Sequence, residues 1–149
     1  MLSDSNDVKL YRSGATMRVV VFGLPGSGRS TLARELGLAL SAVVLDEEKL
    51  FETLNYDLDR SPEGYAESAR RIGWVASTIL DNGFNCVCDM RLSTELSRNN
   101  FRIPSGNVYA IWMDTIDSTT DEGASGMWDP LKADHCNLHV SNWCWEIDP

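Results

Sequence analysis

From Val19 to Phe22 the chain is apolar and largely β-branched, then glycine appears at positions 23, 26 and 28, and from Ser30 an apolar periodicity of helical spacing begins at once. A buried strand that turns through glycine straight into a helix leaves the unpaired N–H groups of the helix start beside a very tight bend. The spacing is that of G-x-x-x-x-G-K-[ST], with Gly23, Gly28 and Ser30 in place and Arg29 where lysine is expected. In such a turn successive backbone amides and the positive end of the helix dipole face an anion. Leu24, Pro25, Gly26, Ser27, Gly28, Arg29, Ser30 and Thr31 are therefore the candidate phosphate-binding residues. Ser30 offers a hydroxyl to a magnesium ion bridging the phosphates. Arg29 keeps the positive charge of the expected lysine but presents it as a longer, planar fork. A glycine turn with no ligand is the plainer reading, and the strand-turn-helix order weighs against it.

The rest of the chain alternates in the same way. Apolar runs predict strands over 17–22, 42–45, 84–88, 108–113 and 137–140, and helical periodicity predicts helices over 30–40, 47–54, 62–80 and 93–102. Ser61 is a cap with Pro62 in the first turn, Asp81-Asn82-Gly83 is a stop, and Ser93 is read as the cap of the next helix. Strands separated by helices imply right-handed crossovers, hence a three-layer α/β/α domain on a parallel five-stranded sheet. Residues 1–16 read as a loosely docked arm, 17–149 as the domain, and 117–130 as a lid. Asp46 and Asp89 close two of the strands at the end of the sheet where ligands gather in such folds. Arg91, Arg98 and Arg102 follow the third strand as acceptor candidates, with surface charge as the alternative, and Trp128 in the lid is the tryptophan suited to stacking on a base.

Composition removes other classes. A chain of 149 residues holds one core. Its net charge of −9 opposes binding to a nucleic-acid backbone, so an anionic substrate has to be drawn by a local cluster. No apolar run approaches the ~20 residues of a membrane span and no basic-then-apolar leader opens the chain, so a cytoplasmic protein is expected. Cys86, Cys88, Cys136 and Cys144 lack C-x-x-C spacing and read as free thiols. Asp134, His135, Cys136 and His139 read as a polar segment entering a strand rather than as a metal site.

The segment from Leu45-Asp46-Glu47-Glu48-Lys49 through Leu54-Asn55-Tyr56-Asp57-Leu58, Ser61-Pro62-Glu63, Glu67 and Arg70-Arg71-Ile72-Gly73 resembles adenylylsulfate kinases. Their pattern L-D-G-D-N-x-R-x-x-L-N-x-D-L-G-F-S-x-x-D-R-x-E-N-x-R-R-I-G lies on it without a gap. With the glycine turn and the third strand, the resemblance covers about residues 18 to 115. It implies a P-loop kinase fold, ATP with Mg2+ as donor, and transfer of the γ-phosphate to a hydroxyl. It further implies that Arg29 and Asp46 are catalytic, Asp46 orienting the acceptor hydroxyl or a metal-bound water. Asp46, Glu48, Arg60, Asp89 and Arg91 are then the acceptor-binding candidates, and a homodimer is admitted. The chain departs from the pattern at Phe51, Arg60, Tyr65 and Ser68, positions that contact adenylylsulfate in the family. A catalytically degenerate nucleotide-binding protein on the same scaffold is the alternative that these departures and Arg29 leave open.

Overall fold

A computed structural model of the chain describes residues 16–103, 108–116, 128–132 and 135–142. Its elements run β1 (Arg18–Gly23), α1 (Arg29–Leu40), β2 (Val43–Asp46), α2 (Glu47–Leu50), α3 (Pro62–Asp81), β3 (Cys86–Met90), α4 (Glu95–Phe101), β4 (Val108–Met113) and β5 (Leu138–Val140). All neighbouring strands pair parallel, in the order β2-β3-β1-β4-β5. β1 is thus central and wholly buried, which is why it reads as a continuous apolar run rather than an alternating one.

The side-chain alternation of β1 splits the core in two. Val19 and Val21 pack with Ala33 and Val87 under α1, while Val20 and Phe22 pack with Ala69, Ile72, Ala76 and Phe101 under α3 and α4. Helices therefore cover both faces, and the three-layer α/β/α architecture expected from the sequence is the one observed. Cys86 and Cys88 share the second face, fully buried as free thiols with their sulfurs 3.8 Å apart. Among the described residues no helix is long and apolar enough to cross a membrane.

Three local expectations need correction. The helix after β2 is a single turn, Glu47–Leu50, and continues as turns rather than running to residue 54. The Asn55 N–H bonds back to the Leu50 carbonyl at 2.8 Å, and its buried amide reaches the Ser68 hydroxyl at 2.9 Å, which curls the chain under α3. β3 starts at Cys86, two residues late, and just before it the Asn85 side chain accepts the Met17 N–H and donates to the Leu40 carbonyl, each at 2.9 Å. α4 is capped by Thr94, not Ser93: the Thr94 hydroxyl accepts the Ser97 N–H at 3.1 Å in a reciprocal box, whereas Ser93 is buried with no hydrogen-bond partner for its hydroxyl among the described residues. Residues 1–15 of the expected arm and 117–127 of the expected lid lie outside the described residues.

Candidate functional site

At the carboxyl end of β1 the chain turns at Gly23, where a Cβ would stand 2.6 Å from the Met113 carbonyl oxygen. Nothing larger than glycine fits there without a shift of the backbone. Gly28 follows at φ 94°, in the region glycine enters without strain. The Ser27 N–H donates to the Leu24 carbonyl at 3.2 Å, and the Thr115 hydroxyl donates to the Ser27 carbonyl at 2.9 Å, bracing the bend from behind. α1 starts on Gly28 with no side-chain cap. Its first N–H groups and dipole end therefore open onto a cavity of about 430 Å³ bordered by Pro25, Gly26, Gly28, Arg29, Ser30, Thr31 and Glu48. Leu24 and Ser27 are buried instead, and their side chains do not border it.

Arg29 does not reach outward. Its Nη1 donates to the Gly23 carbonyl, its Nε lies 3.0 Å from Asp89 Oδ1, and the residue is only 6% exposed. The fork geometry allows this: one arm ties the loop to the end of β1 while the other holds the neighbouring strand. The contact with Asp89 Oδ1 is ionic and lacks hydrogen-bond alignment. Asp89 Oδ2 accepts the Ser30 hydroxyl at 2.6 Å. Burial pushes the Asp89 carboxyl above the usual range, and the Ser30 hydroxyl and Arg29 charge pull it back. Asp89, expected at the acceptor, thus serves the loop.

The Cα of Asp46 is paired with that of Asp89 across β2 and β3, so two carboxylates stand side by side at the ligand end of the sheet. Asp46 Oδ1 caps α2, accepting the N–H groups of Glu48 at 3.0 Å and Lys49 at 3.4 Å. Glu48 borders the cavity and pairs with Arg60 at 3.2 Å, both about half exposed. The Arg60 guanidinium lies 4.7 Å over the Phe51 ring, Phe51 meets Tyr65 edge-on at 5.2 Å, and the Arg91 guanidinium lies 5.4 Å over Tyr65. Three departures from the family pattern, at 51, 60 and 65, are therefore one stack, with both rings buried.

Sequence reasoning missed Glu47. It is 1% exposed, accepting the Ser68 hydroxyl at 2.7 Å and the Arg91 N–H at 2.9 Å. Burial pushes its carboxyl upward, partly offset by those two hydrogen bonds. The signal was present: the pattern has glycine at 47 and asparagine at 68, and both changes fall on residues that touch. By contrast, Asp57, Glu67 and Arg71, which match the pattern, form a brace. Arg71 donates to Asp57 at 2.7 and 2.9 Å, to Glu67 at 2.9 Å and to the Leu54 carbonyl at 3.1 Å, and it holds the Asp57 carboxyl down to about 2.

Two further candidates are corrected. Arg98 is buried and donates to the carbonyls of Leu92, Ser93 and Asp129, so it is architectural. Trp128 lies 4.7 Å beneath that guanidinium and stacks on Trp112 at 5.9 Å, so its ring is committed to the fold rather than to a base. Among the described residues no group of three or more metal-ligating side chains of His, Cys, Asp or Glu occurs.

A family described as an AAA domain matches residues 19–122, more than half of the chain. The adenylyl-sulfate kinase of Paraburkholderia xenovorans is 43% identical over 67 residues, which is 42% of this chain and 37% of that protein. That of Prochlorococcus marinus is 36% identical over 85 residues, 54% of this chain and 42% of the relative. The chain thus spans less than half the length of these curated relatives. Among solved structures, the APS kinase of Mycobacterium tuberculosis in complex with AMPPNP and APS gives a TM-score of 0.68 at 23% identity, covering 86% of this chain and 90% of that one. The fold is that of the P-loop NTPases.

Proposed function

We proceed from the fact that the chain belongs to the AAA domain family, and we propose that it is an ATP-dependent small-molecule kinase resembling adenylylsulfate kinases, transferring the γ-phosphate to a hydroxyl acceptor. The observation that carries this reading is the Ser30 hydroxyl held at 2.6 Å on Asp89, beside an uncapped helix start that opens onto the loop cavity.

The loop amides and the start of α1 hold the phosphate chain and fix its direction. Ser30 and Asp89 are hard oxygen donors of the kind Mg2+ accepts, and one or two such ligands suffice when phosphates supply the rest. They are the residues that would hold it, and the ion supplies neutralisation of phosphate charge. Asp46 Oδ1 takes both α2 amides, which orients the carboxylate, and Oδ2 is the atom that would accept the hydrogen bond of the acceptor hydroxyl. The stack of Arg60, Phe51 and Tyr65 fills positions that contact adenylylsulfate in the family, which favours a relative of that acceptor over adenylylsulfate itself.

The test is transfer of labelled γ-phosphate from ATP with Mg2+ to adenylylsulfate and a panel of small hydroxyl compounds. A labelled product that disappears in Ser30→Ala and Asp46→Asn is expected. ATP binding with no transfer to any acceptor would leave the second reading, a nucleotide-binding protein without turnover; absence of ATP binding would remove both. The inward turn of Arg29 favours that second reading, and hydrolysis appearing in Arg29→Lys would support it.

A further inference from the structure

The amino ends of the strands carry a second concentration of chemistry. Arg18 opens β1 five residues before Gly23, which at ~3.3 Å per residue places it roughly 16 Å from the phosphate loop. A cavity of about 400 Å³ lies there, lined by Arg18, Arg70, Trp74, Ser77, Asn100 and Arg102 together with Gly73 and Phe101. No aspartate or glutamate is in that lining, in a chain whose net charge is −9. Arg70 is already held at two points by Glu67, at 2.6 and 2.7 Å, so Arg18 and Arg102 are the guanidinium groups that the cavity offers to an anion.

Arg18 is the most telling of them. It is 7% exposed and lies 5.4 Å over the Phe101 ring, with Nη1 donating to the Ser77 hydroxyl at 3.1 Å and more distantly to the Gly73 carbonyl. Its Nε is buried with no acceptor, and it has no ion pair among the described residues. A buried cation without a counter-charge is costly, and although Nε itself is closed to solvent, an anion in the cavity would supply that charge. Burial, and more weakly the nearby Arg102 charge, lower the tendency of Arg18 to carry its proton. Arg102 itself sits at φ 69° just after α4, a position where glycine is usual and arginine is strained. On the rim, Trp74 is 69% exposed on α3, a flat ring facing solvent beside the arginines.

We propose that this cavity is a second anion site, distinct from the phosphate loop, which takes a nucleoside phosphate: the phosphate between Arg18 and Arg102, the base on Trp74. Guanidinium groups suit phosphate oxygens through paired donors, and an exposed indole suits a planar base.

Titration calorimetry of the full chain with inorganic phosphate and with AMP tests this, comparing the parent protein with Ser30→Ala, Arg102→Gln and Trp74→Ala. Arg102 and Trp74 are solvent-facing, so their variants are expected to fold, and circular dichroism checks it. Each ligand should show a binding event that Ser30→Ala leaves unchanged and Arg102→Gln weakens about tenfold or more, separate from any event at the loop, which Arg102→Gln leaves unchanged, and only the AMP event should weaken in Trp74→Ala. All binding lost in Ser30→Ala, every event unchanged in folded Arg102→Gln, or no binding of either ligand at millimolar concentration would each overturn the site. Equal AMP affinity with and without Trp74 would overturn the nucleoside part and leave a phosphate site. None of these outcomes depends on whether the protein transfers phosphate.

Discussion

At the scale of single residues, Glu47 sets a pH dependence whose direction the buried Asp89 carboxyl shares. The Glu47 carboxyl is nearly fully buried and its folded-state pKa is raised above the ordinary 4.5. The folded state therefore binds a proton more tightly than the unfolded chain does. The contribution of Glu47 to stability is greatest below about pH 4.5 and is lost as the pH rises towards the folded-state value. Urea denaturation from pH 5 to 8 should show stability declining with pH, and Glu47→Gln, which keeps an acceptor for the Arg91 N–H, should make that decline shallower and leave the part due to Asp89. An equal slope in the variant would place the dependence elsewhere. Arg29 gives a second prediction. A lysine ammonium cannot hold the Gly23 carbonyl and Asp89 with one planar fork, so Arg29→Lys should lose about 1 kcal/mol of stability without ligand. The same change frees charge for the cavity, so the thermal shift produced by ATP should grow. A smaller shift would mean that the guanidinium already serves the nucleotide.

At the scale of elements, caps were partly legible because they are local chemistry. Ser61 accepts the Gly64 N–H at 3.0 Å and Pro62 follows, as the sequence implies for α3. The start of α4 was misread by one residue, since Ser93 and Thr94 are equally good caps on paper and only the path of the chain out of β3 chooses between them. Thr94→Ala should cost about 1 kcal/mol. Ser93→Ala removes a buried hydroxyl with no partner among the described residues and should stay within about 0.5 kcal/mol of the parent, or stabilise. Chemical denaturation of both variants decides; the reverse order would return the cap to Ser93. The shortened α2 has a similar origin. Its periodicity continues past Leu50, but Asn55 finds buried partners only if the helix ends.

For the whole molecule, nucleotide binding should appear as added stability, because the loop cavity exists only in the folded chain. At 100 times its dissociation constant, ATP with Mg2+ should add about 2.7 kcal/mol, a rise of several degrees in Tm by differential scanning fluorimetry. Asp46→Asn should keep that rise, since the amide oxygen still caps α2, while abolishing transfer. A loss of both would make Asp46 a folding residue rather than a catalytic one. The β1-loop-α1 unit, the parallel alternation of elements and the two-faced core were legible in the sequence. Each depends on neighbours within one or two turns of chain, where periodicity and glycine chemistry act directly. Which partners the charged residues take was decided only by the tertiary structure. Ser30 meets Asp89 across 59 positions, and Arg18 is brought to the Arg102 cavity across most of the domain. Electrostatic pairing depends on distance and burial in space, and those are set when the sheet closes, not by spacing along the chain.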